Sequence, residues 1–161
     1  MAEGDYLPEK WIWTSADFER MGWHDVYIHA IGFQNLALAF DIDYTWQRIK
    51  PAAGEIYYKS WMSPATLIFD DARDVHITLK PEPDGCPIVM KLHRSDAVAA
   101  QGGQPTWLWQ FECLQGEITF RAADYRQFIR RRPVLASSQF FSEAERGGIT
   151  FSQVTPETDA G

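Results

Sequence analysis

From Trp23 to Trp46 the chain reads W-H-D-V-Y-I-H-A-I-G-F-Q-N-L-A-L-A-F-D-I-D-Y-T-W. Leu36, Leu38, Phe40, Ile42, Tyr44 and Trp46 are apolar at every second position, the period of a half-buried β-strand. Asp41 and Asp43 fall between them and point to the other side. Val26, Ile28 and Ala30 form the matching apolar set of a preceding strand. Gly32-Phe33-Gln34-Asn35 supplies the turn, because Gly and Asn tolerate positive φ. For both apolar sets to share a face, residues opposed across the hairpin must have numbers with an even sum. A three-residue loop with Asn35 in the left-handed region meets that parity. The register then sets Asp25, Tyr27 and His29 against Asp43, Asp41 and Ala39 on the polar face.

The same alternation predicts further strands. Trp11-Ile12-Trp13 reads as a short one, followed by a helical turn or two over 14–22, with Ser15 as N-cap and Gly22 at its end. After a loop at 48–54 comes a long strand-like stretch to Asp71. Pro64 interrupts it, which predicts a bulge, an edge or two strands there. Val75, Ile77 and Leu79 alternate, then Ile88, Met90 and Leu92, with a turn at 81–87 between them and a flexible loop, or a short helix followed by a loop, at 95–105 after them. Trp107, Trp109 and Phe111 pair with Ile118 and Phe120 as a second hairpin, turning at Gln115-Gly116. Tyr125, Phe128 and Ile129 are spaced for a helix over 124–132, with Arg130 to Arg132 at its negative end and Pro133 as its stop. A short helix closed by Gly147 and a last strand over 149–154 complete the chain. Successive strands joined by short turns imply an antiparallel meander, since parallel pairing needs long crossovers. The expected fold is mainly β: an antiparallel meander forming a β-sandwich or a closed or half-open barrel, with a C-terminal helix. It divides into a flexible arm at 1–10, a single β-rich domain at 11–154 and a disordered tail at 155–161.

Composition narrows the function classes. The chain of 161 residues is 45% hydrophobic and 23% charged, enough for one self-sufficient core. Seven Trp and a 14% aromatic share suit strands and a large packed interior. The net charge of −7 disfavours nucleic acid, which binds through dense Lys and Arg. It suits a basic protein partner, whose approach it would steer. No apolar run approaches the length of a membrane span, and the first residues carry no apolar signal core. Cys86 and Cys113 lack C-x-x-C spacing, which suits reduced thiols in a bacterial-type cytoplasm.

Chemistry-bearing patterns are sparse. Asp25, Tyr27, His29, Asp41 and Asp43 form the one polar constellation, on the outer side of the opening hairpin. It reads as a solvated face, as a binding patch for a partner or ligand, or as a cation or catalytic site. His24 and Asp25 are consecutive strand residues and so point apart, which counts against a catalytic couple. The four His have no H-x-x-x-H or H-E-x-x-H spacing, and no G-x-S-x-G or P-loop is present; no metal or cofactor is expected. Trp107 and Trp109 share a strand face. They are core if that face is buried and a ligand-stacking surface if it is open.

W-H-D-V-Y-I-H, F-D-I-D-Y-T-W and P-A-T-L-I-F-D-D together resemble small bacterial proteins of no assigned activity, over residues 22–133. Small acidic proteins of that sort sometimes act as immunity or antitoxin partners of bacterial toxins. The resulting expectation is a cytosolic, non-enzymatic module that binds a basic protein through the face bearing Asp25, Tyr27, His29, Asp41 and Asp43. A β-barrel carrying a small apolar ligand is the second expectation. A hydrolase-like enzyme using the His/Asp cluster is the third.

Overall fold

A computed structural model describes residues 5–80, 82, 85–99, 103–138 and 140–159. The expected turn at 81–87, the loop at 95–105, the arm and the tail lie in part outside the described residues, and residues 95–98 of that loop are strand instead. Among these residues ten strands form one antiparallel sheet: β1 (Ile12–Thr14), β2 (Val26–Gln34), β3 (Ala37–Ile49), β4 (Lys59–Phe69), β5 (Arg73–Leu79), β6 (Ile88–Val98), β7 (Thr106–Cys113), β8 (Gly116–Ala122), β9 (Tyr125–Ile129) and β10 (Val134–Ala136). Their order is β1-β9-β4-β3-β2-β6-β7-β8-β5, with β10 beside β4. A 3₁₀ helix at Ser15–Arg20 and two single-turn helices, α1 (Glu143–Arg146) and α2 (Pro156–Asp159), are the remaining regular elements.

The expected class, a mainly β antiparallel fold with a short C-terminal helix, is the one observed, and the sheet is not closed. It curls strongly all the same. Tyr125 on β9 meets Trp109 on β7 at 5.6 Å between ring centroids, although five steps of the sheet separate their strands. Phe69 on β4 meets Phe120 on β8 edge-on at 4.5 Å. Phe40, Phe69, Trp109, Phe111, Phe120 and Tyr125 fill the concave side and are fully buried. Such offset and edge-to-face ring pairs add to the burial of their large apolar areas. Trp109 is therefore core, and its indole N–H is satisfied by the Ala122 carbonyl at 2.9 Å. Trp107 is half-buried under the Arg94 guanidinium, 4.6 Å from its ring.

Several local expectations change. The 124–132 segment is not a helix, since β9 occupies Tyr125–Ile129. It lies between β1 and β4, and those two ladders satisfy its backbone along its length. Pairing on both sides outweighs a short helical spacing. Residues 149–154 form no strand and instead run as irregular chain. The opening hairpin turns over two residues, Asn35 and Leu36, both at positive φ (50° and 67°). This is the turn geometry that matches strand twist. Tyr27 therefore faces Asp43, and the ladder shifts by one residue between Ile28 and Ala30, which leaves His29 as a bulge.

Pro64 lies inside an unbroken β4, where the outer neighbour of that strand changes from β9 to β10. Its missing N–H therefore falls at a gap between two ladders. The 3₁₀ helix is capped by Thr14, one residue before the expected Ser15, and Asp17 returns a bond to the Thr14 N–H. In the stretch read as a tail, Thr155 is buried and α2 forms one turn.

Candidate functional site

Asp41 and Asp43 leave β3 on the convex side, two residues apart, and both are 0% exposed. The cover is the chain's own C-terminal segment, residues 140–155, here called the strap. The expectation of an acidic face open to a partner is thus corrected for these residues. Two adjacent strand carboxylates can be buried only where cations and N–H donors meet them, and the strap brings both.

Arg146, on the last residue of α1, forks onto Asp41, with Nη1 donating to Oδ2 at 2.7 Å and Nη2 to Oδ1 at 2.6 Å. Its Nε donates to Asp43 Oδ1 at 3.3 Å. Local sequence explains its position. Ser142 and Glu145 form a capping box at the start of α1, and Gly147, at φ 78°, ends it directly after Arg146. Two backbone donors of the strap complete the closure: Phe141 N–H to Asp43 Oδ2 at 2.8 Å and Thr150 N–H to Asp41 Oδ2 at 3.0 Å. From the opposite side Arg130, just after β9, donates to Asp41 Oδ1 at 2.8 Å and to Thr66 Oγ1 at 2.8 Å. The Thr66 hydroxyl in turn donates to the Ser152 carbonyl of the strap at 2.6 Å. Burial alone pushes the Asp41 carboxyl up. Arg146, Arg130 and the Thr150 N–H outweigh it and hold the group below the ordinary carboxylate range. Burial also lowers Arg146, but its two aspartate partners reverse this and raise it.

His29 enters the same cluster because the bulge turns it toward β3. Its Nε2 lies 2.6 Å from Asp43 Oδ2, and its Nδ1 lies 3.7 Å from Cys86 Sγ. Three of the five expected residues, His29, Asp41 and Asp43, thus come together in the buried cluster. Asp25 and Tyr27 sit at its rim. Asp25, at φ 65°, is ion-paired with Arg48 and lies 3.2 Å from His24 Nδ1. Tyr27 is half-buried and stacks on Phe140 of the strap at 4.9 Å. Sequence reasoning missed Arg130, Arg146, Cys86, Thr66 and Thr150. The available signal was the aspartate pair itself, which demands cations once the convex face is covered. Among the described residues no group of three His, Cys, Asp or Glu side chains is arranged to hold a metal ion.

At the rim the surface turns aromatic. A groove of about 380 Å³ is lined by Tyr27, Arg48, Ile56, Tyr57, Tyr58 and Phe140. Ile56 and Tyr57 are among the most exposed large apolar residues of the chain, at 78% and 73%. A second groove of about 410 Å³ carries Tyr6, Trp13, Trp46, Arg20 and His24, and it shares Arg48 with the first. The two therefore form one continuous aromatic border with arginines set into it. No family model, curated protein or solved structure matches this chain.

Proposed function

We propose that this chain is a protein-binding module of the immunity or antitoxin kind, and that it receives a basic protein at the aromatic border around Arg48. The observation that carries this reading is the grouping of Ile56, Tyr57, Tyr58 and Phe140, all exposed, along one groove. Large apolar residues exposed as a group, rather than singly, mark interaction surfaces on soluble proteins. Tyr and Arg are also the residues on which interface energy concentrates. Burial of the aspartates leaves the negative charge excess in place. Asp41 and Asp43 cancel Arg130 and Arg146, so the net −7 belongs to the rest of the chain. That excess steers a basic partner toward the molecule while the aromatic border makes the contact.

The test uses the full chain with a photo-crosslinking residue in place of Tyr57. A partner of basic net charge is expected to be trapped there and to bind the wild-type chain when titrated as a purified protein. Tyr57→Ala/Tyr58→Ala is expected to weaken that binding at least tenfold, since each tyrosine of a binding centre contributes upwards of about 1–2 kcal/mol. Its own melting temperature should hardly change, because both side chains stand in solvent. Equal affinity of the double variant, or an acidic trapped partner, overturns the proposal.

A further inference from the structure

Cys86, His29 and Asp43 form a chain of contacts that partner binding does not use. Asp43 faces donors at both oxygens: Phe141 N–H at Oδ2 and Arg146 at Oδ1. It can only accept, so the His29 nitrogen at 2.6 Å, Nε2, carries its hydrogen toward Oδ2. In the neutral ring Nδ1 is then the bare nitrogen, and it is the one that meets Cys86 Sγ at 3.7 Å. A thiol beside a base whose ring is fixed by a buried carboxylate is the arrangement that activates nucleophiles. The backbone holds it in register. Ile28 N–H, one residue before His29, donates to the Pro87 carbonyl, one residue after Cys86, at 3.0 Å. Gln115 spans the same loop, donating to the Cys86 carbonyl and accepting from Ile88 N–H. Cys86 is partly exposed, whereas Cys113 is buried.

We propose that Cys86 is a nucleophilic thiol that uses His29 as its base and forms a mixed disulfide with a small disulfide-bearing molecule. Burial and the nearby Asp43 push the Cys86 thiol up, so at neutral pH it rests protonated and needs that base. A thiol of high pKa is also the stronger nucleophile once its proton leaves. Disulfide exchange needs only this thiolate and an accessible path, with no set of donors for an oxyanion. In the step, the S–H proton passes to His29 Nδ1 as Sγ attacks one sulfur of the disulfide. A new S–S bond forms and the old one breaks. The departing thiolate takes the proton from His29, so Cys86 is oxidised and the leaving sulfur is reduced. Tyr27, whose hydroxyl is pushed up by burial, Asp25 and Cys86, stacks on Phe140.

The test is the reaction of the Cys113→Ala chain, in which Cys86 is the sole thiol, with 2,2′-dithiodipyridine at neutral pH. This probe is uncharged and aromatic, and it releases a coloured thione. The folded chain is expected to react faster than the same chain unfolded in urea. Burial without a base would give the opposite order. Within the folded state, His29→Gln is expected to slow the reaction at least tenfold. Addition of free imidazole to His29→Gly is expected to restore part of the rate. A folded chain slower than the unfolded one overturns the proposal, whether or not the His29 variants fold. An unchanged rate in a folded His29→Gln chain overturns it as well.

Discussion

Arg146 shows how one side chain decides what a surface becomes. Its guanidinium makes a fork to Asp41, reaches Asp43 and also donates to the Gly148 carbonyl at 2.9 Å. Arg146→Ala leaves two buried carboxylates with Arg130 as their cation, and removing one partner of a buried pair costs about 3–5 kcal/mol. Urea unfolding of Arg146→Ala should register that loss. Arg146→Lys should fall between the two, because an ammonium cannot fork across both oxygens. The acid limb follows from the same contacts. The Asp41 carboxyl is lowered in the folded chain. Its contribution is complete above the unfolded carboxylate pKa of about 3.9 and is lost as pH falls through the lower folded value. Wild-type melting temperature should therefore drop steeply below about pH 4, and the drop should be shallower in Arg146→Ala, where Asp41 loses its chief lowering partner. None of this was legible in the aspartates alone. Alternation fixed which way Asp41 and Asp43 point, but a segment about a hundred residues later determines that they point at protein and not at water.

At the scale of elements, period-two patterning was reliable wherever a strand has one core face and one outer face. Leu38, Phe40 and Ile42, and Trp109 with Phe111, are buried as that pattern requires. It failed for β9, where Tyr125, Gln127, Phe128 and Ile129 are all buried and the alternation is erased. The hairpin register failed by a turn residue, because Leu36 accepts positive φ beside Asn35 and a bulge at His29 restores the shared face. That bulge also aims His29 at Asp43. The second hairpin turns over Leu114-Gln115, one residue earlier than the expected Gln115-Gly116, and Gly116 opens β8 for a reason the sequence did not contain. Gly116 has φ 143°, and a Cβ there would stand 1.9 Å from the Thr78 carbonyl of the neighbouring strand. Gly116→Ala should cost more than about 2 kcal/mol in a thermal melt, because it adds a backbone clash to an unfavourable φ. Gly54→Ala is the control. Its φ is 90° with open space around it, so only the dihedral strain of about 1 kcal/mol remains.

At the scale of the whole molecule, the open curled sheet divides its two faces between different jobs. The concave side is a ring-packed core. The convex side of β2, β3 and β4 carries a charge-balanced cluster under the strap, bordered by exposed tyrosines. Asp41 and Asp43 are held by this chain's own C-terminal segment, which closes them to an outside partner. Amide hydrogen exchange at Phe141 and Thr150 tests this closure most directly, because those two N–H groups bond to the two carboxylates and sit in chain that is otherwise irregular. Both amides should be protected well beyond an unstructured chain in the wild-type protein, and both should lose that protection together in Arg146→Ala. Exchange of both at the unstructured rate in the wild-type chain would contradict the account, since it would return the aspartates to an open face.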